Sequence, residues 1–70
     1  MEVLVYKTNI NHVNDVEVVR SYLNKQTGIK KWNVDIEDVD CVLRVEVDSD
    51  ISSVVENIVR KAGYKCLELE

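Results

Sequence analysis

The sequence predicts an α+β domain with one four-stranded antiparallel sheet and two helices. Three observations carry this. Apolar residues recur at every second position over 31–36 and 41–48, the period of a half-buried strand, with Val42 the one apolar residue on the other parity. Val16, Val19 and Leu23 recur at i, i+3 and i+7, and Ile51, Val55, Ile58, Val59 and Ala62 recur at i, i+4, i+7, i+8 and i+11. Each helical stripe is followed by one of the chain's 2 glycines, Gly28 and Gly63, which supply a left-handed stop.

Taken in order, residues 2–8 (EVLVYKT) are β-branched and aromatic, and they make the first strand. Asn14 with Glu17 three positions on forms an Asn-led capping box, so the first helix is expected from about 14 to 27. Trp32, Val34 and Ile36 form the inward face of the second strand. Glu37-Asp38-Val39-Asp40 is a turn, after which Cys41, Leu43, Val45 and Val47 alternate with Val42, Arg44, Glu46 and Asp48 along the third. Ser52 or Ser53 caps the second helix, and Tyr64 to Leu69 form the last strand. The order β-α-β-β-α-β is the ferredoxin-like arrangement. Right-handed crossovers then give a sheet of order 4-1-3-2 with both helices on one face and the other face open.

Residues 1–70 are expected to be a single domain, of a size that buries only about 60% of its unfolded surface. Apolar residues are 46% and charged residues 31%, with no linker or low-complexity tract. No apolar run approaches the roughly 18 residues that span a bilayer, and the N-terminus has no secretory pattern, so a cytoplasmic protein without membrane contact is expected. A net charge of −4 argues against nucleic acid as a partner. Cys41 and Cys66 lie in apolar surroundings on strands flanking the first, about 9–10 Å apart by strand spacing, too far for a disulfide. Catalysis is not expected: there is no Ser/His/Asp set, no Gly-rich phosphate loop and one histidine.

Across nearly its whole length the chain resembles the heavy-metal-associated domain of copper chaperones and metal-transporting ATPases. The residues that carry the resemblance are the strand-loop-helix start, "GIKKWNVDIE" where that family has a Gly-Val-x-x-x-x-Val segment, the hairpin, and "IVRKAGYK" where it has Ile-x-x-x-Gly-Tyr. The family binds soft cations through a Met-x-Cys-x-x-Cys loop. Aligned on the first helix, the resemblance places His12 and Asp15 at the two cysteine positions and Ile10 where the methionine packs. Counted back from Gly28, Val13 and Val16 fall there instead. Neither register contains a thiolate pair.

The resemblance therefore implies a scaffold that has lost its soft ligands. The expected function is a protein-interaction or regulatory module with no cofactor. The alternative is a metallochaperone that holds zinc or copper weakly through His12 and Asp15, with a second chain completing the set, since two ligands are half a tetrahedral zinc site. A third reading is a small-molecule sensor, for which the core leaves little volume. Tyr64 matches a tyrosine that lies near the metal loop in bacterial chaperones of the family, and here it is expected to cover that loop. A protein partner or a second copy is expected at one of two surfaces. One is the former metal loop, Asn11 to Asp15 with Tyr64. The other is the open sheet face, where Leu4 and Tyr6 should point beside Val42, with Val3 and Val5 turned to the helices. The edges of the second and fourth strands offer a further route by strand addition.

Overall fold

The computed structural model describes residues 2–69. Its elements follow the expected order: β1 (Glu2–Thr8), α1 (Val13–Leu23), β2 (Ile29–Asp35), β3 (Val42–Val47), α2 (Ser52–Lys61) and β4 (Cys66–Glu68). The four strands form one antiparallel sheet in the order β2-β3-β1-β4, which is the 4-1-3-2 arrangement read from its other edge. Leu43, Val45 and Val47 of β3 meet Val19 and Leu23 of α1 and Val55 and Val59 of α2 in a single core. Gly28 and Gly63 both have positive φ, 94° and 102°, as chain reversals after the helices require.

One strand faces the opposite way from expectation. Leu4, Tyr6 and Thr8 are buried under the helices, whereas Val3 is 57% exposed on the open face. Leu4 and Tyr6 are thus core residues and not part of an interaction surface. The cause is register: β1 pairs Leu4 with Val45 and Tyr6 with Leu43, and directly opposed residues share a face. The inward parity continues past the strand to Ile10, which is fully buried. The Tyr6 hydroxyl also donates to the Ser52 carbonyl at 3.0 Å, tying β1 to the start of α2. Val42, opposite Asp35, keeps the expected open-face parity, though it is itself nearly covered.

The ends of several elements are also shifted. The N-cap of α1 is His12 rather than Asn14: its backbone is extended and its Nδ1 accepts the Asn14 N–H at 3.1 Å. Glu17 pairs with Arg20 at 2.7 Å instead of closing a capping box. The helix stops at Leu23, four residues short of its expected end. There Asn24 accepts the Trp32 indole N–H at 3.2 Å, and Arg20 lies over the same ring, 5.3 Å from its centroid. The residue preceding α2 is Ile51, which gives no side-chain cap, and the Ser52 N–H is taken by the Asp50 carboxylate at 3.2 Å. Cys41 precedes β3 in the left-handed region (φ 45°), and Tyr64 lies in the loop before a β4 that is only 3 residues long.

Candidate functional site

The β1–α1 loop sits at the end of the sheet where the β2–β3 turn and the α2–β4 loop also converge. Its floor is fixed first. The Thr8 hydroxyl donates to the Cys41 carbonyl at 2.6 Å and accepts the Ile10 N–H at 3.1 Å, while the Thr8 N–H donates to the Asp40 carbonyl at 3.1 Å. Ile10 fills the core beneath, at the position where the resemblance expects a buried apolar residue. From the side, the Asn9 side-chain oxygen accepts the Lys65 N–H at 2.8 Å, and the Tyr64 hydroxyl donates to Asp15 Oδ1 at 2.9 Å. The α2–β4 loop is thereby clipped over the β1–α1 loop.

His12 and Asp15 both stand at this end, as expected, but each already has work within the chain. His12 Nδ1 caps the helix by accepting the Asn14 N–H. One oxygen of Asp15 is held by Tyr64. That bond to a carboxylate, with lesser help from desolvation and from the charge of Asp15, raises the Tyr64 phenol above its ordinary value. Tyr64 therefore stays a neutral donor through the physiological range. Asn11 is exposed beside them. Among the described residues, no group of three or more His, Cys, Asp or Glu side chains could hold a metal ion.

The two thiols lie outside this arrangement. Cys41 and Cys66 are buried and unbridged. Burial, reinforced by the charge of Glu56, pushes the Cys66 thiol up to about 12. It is a poor nucleophile and a poor metal ligand at neutral pH. Two members of the loop network, Thr8 and Asn9, carry no signal in the sequence. Their partners Cys41 and Lys65 are 33 and 56 residues away, and only the folded chain brings them together.

No family model and no curated protein matches the chain. Solved structures do. The N-terminal domain of ZntA in its Zn(II) form superposes with a TM-score of 0.82 at 22% identity, over 97% of this chain and 92% of that one. The yeast copper transporter domain Ccc2a, solved in apo and Cu(I)-loaded states, gives 0.84 at 14% identity over 100% and 97%. The first domain of the human copper chaperone for SOD1, in its copper(I)-loaded form, gives 0.79 at 20% identity over 94% and 89%. The chain thus has the heavy-metal-associated fold, the ferredoxin-like α+β architecture expected from its sequence. Its structural neighbours are metal-binding domains of chaperones and transporters, and a Cys-x-x-Cys motif is absent from its sequence.

Proposed function

We propose that this domain uses the scaffold of a soft-metal carrier as a protein-interaction module, without thiolate metal binding and without catalysis. One observation carries the reading: at both positions that the first-helix register sets against the family's cysteines, a donor atom is already engaged inside the chain, His12 Nδ1 on the helix cap and Asp15 Oδ1 on Tyr64. A loop closed in this way presents Asn11, His12 and the clip around Tyr64 as a fixed surface for a protein partner. A cytoplasmic setting is part of this proposal and accords with two unbridged thiols.

A second reading has support of its own. His12 and Asp15 stand in a loop on the fold of Zn(II) and Cu(I) domains, so release of the His12 helix cap, together with further ligands from a second chain, would complete a zinc or copper site. Titrating Zn(II), Cu(II) and Cu(I) while following loop amides and the His12 ring by NMR separates the two. The interaction reading expects no saturable change at micromolar metal. Saturable shifts at His12 and Asp15, with two chains per ion, would establish the carrier reading in its place.

A further inference from the structure

β2 forms one edge of the sheet, and its outer backbone groups have no strand beside them among the described residues. At 7 residues it is more than twice the length of the opposite edge, β4 with 3, where Arg60 covers the Cys66 carbonyl at 3.1 Å. β2 contains no proline, and its helix-side residues Trp32 and Val34 remain half-buried because nothing lies beyond them. A groove bordered by Val16, Arg20, Asn24, Trp32 and Val34 runs along this edge. Such an edge is a template for another strand.

Its sequence says which strand fits. A register shift between Ile29 and Lys31 interrupts the regular ladder, so the straight part of β2 is Lys31–Asp35, with Asn33 at its centre. Two copies of that segment overlap fully, antiparallel, only when a two-fold axis passes through Asn33. Lys31 then lies opposite Asp35 of the second copy, twice over, on the open face; Asn33 meets Asn33; and on the helix side Trp32 meets Val34, also twice. Opposite charges and aromatic–β-branched pairs are the combinations that favour cross-strand neighbours. Moving the axis one residue to Trp32 sets Lys31 against Asn33 and leaves Asp35 facing the shifted ladder at Ile29. An axis at Val34 places Lys31 opposite Glu37, in the turn beyond the strand.

The charges concerned are free to pair. The ion pairs among the described residues are Lys7–Asp40, Arg20–Glu17, Lys30–Asp48 and Arg60–Glu56, and none uses Lys31 or Asp35. Asp35 accepts the Glu37 N–H through Oδ1. Both residues are exposed on the strand.

We propose that the domain self-associates through β2, two copies joining antiparallel about Asn33 into one continuous sheet with all helices on the same side. The contact is isologous and closes at two copies, because pairing consumes the same edge on each. A seam confined to the short straight part of β2 covers less than the roughly 1,000 Å² of a stable interface, so the dimer is weak and concentration-dependent.

Sedimentation from micromolar to millimolar protein tests this with a charge swap. The wild type should move from one-copy to two-copy mass over that range. Lys31→Asp sets a carboxylate against the Asp35 carboxylate at both ends of the seam, and Asp35→Lys does the same with two ammonium groups, so each single variant should stay monomeric. An equimolar mixture of the two singles should form a mixed dimer, and the double variant Lys31→Asp/Asp35→Lys should recover self-association. Asp35→Lys gives up the turn bond to the Glu37 N–H, and Lys31→Asp faces Glu46 across the strand pair, so thermal unfolding is measured beside each variant; the mixture of the two singles carries both losses and still should associate, which separates pairing from folding. A wild type that is monomeric throughout overturns the proposal, as do single variants that associate like the wild type or a mixture that does not associate.

Discussion

Replacing Tyr6 by alanine should unfold the domain, whereas Val3→Ala should leave it nearly untouched. Tyr6 has 0% exposure and packs with Leu4, Ile10 and Leu43 in the core. Removing a buried aromatic ring costs about 3–5 kcal/mol. The lost hydrogen bond to the Ser52 carbonyl adds about 1 kcal/mol. A core of this size rarely supplies more than about 3–5 kcal/mol in total, so the alanine variant has no folded state left. Tyr6→Phe isolates the hydroxyl: it keeps the ring and forfeits about 1 kcal/mol, which in a domain of this length lowers Tm by about 4–8 °C. Val3, 57% exposed on the other face of the same strand, should shift stability by no more than about 0.5 kcal/mol. Thermal and urea unfolding followed by circular dichroism measures all three. If Tyr6→Ala melted beside the wild type while Val3→Ala unfolded, β1 would face the other way and the pairing of Tyr6 with Leu43 would be wrong.

Two further outcomes follow from the loop and the core. Thr8→Val keeps the shape of the side chain but leaves the buried Ile10 N–H without its acceptor, which should cost about 1–3 kcal/mol in urea unfolding, while Thr8→Ser should recover most of it. Stability should also fall in alkali. Burial raises the Cys66 thiol from its ordinary 9.0 to about 12, and burial together with the Glu68 charge raises the Tyr6 phenol. Folding thus holds these protons more tightly than the unfolded chain does, so the stabilisation is complete below about pH 9 and is lost as pH rises through the folded-state values. Urea midpoints measured between neutral pH and about pH 11 should decline above about pH 9. Cys66→Ala should flatten the first part of that decline, and an unchanged slope would place the thiol in water.

The proposed seam and the loop surface would give the domain separate uses. Strand addition at β2 occupies one edge of the sheet, while Asn11, His12 and Tyr64 lie at the end where β1 meets α1. A dimer would therefore present two copies of the loop surface, which raises the effective concentration of one when the other is engaged.

Much of this was written in the chain itself. Alternation over 31–36 and 43–48, a helical stripe on each helix and a glycine in the turn after each helix specify six elements in order, and that order with short right-handed connections leaves one sheet arrangement. The absence of a cysteine pair in the first loop is likewise a fact of sequence. What the fold alone decided is where symmetry or distance defeats local pattern. β1 is apolar on both parities, Val3 and Val5 on one and Leu4 and Tyr6 on the other, so periodicity gives no facing and the pairing with β3 sets it. His12 became the helix cap because its extended backbone brings the ring nitrogen to an open N–H, a competition with Asn14 that composition does not rank. The Tyr64–Asp15 clip joins side chains 49 residues apart. Hydrogen bonds of that range exist only after the helices have closed over the sheet, so no local pattern in the sequence announces them.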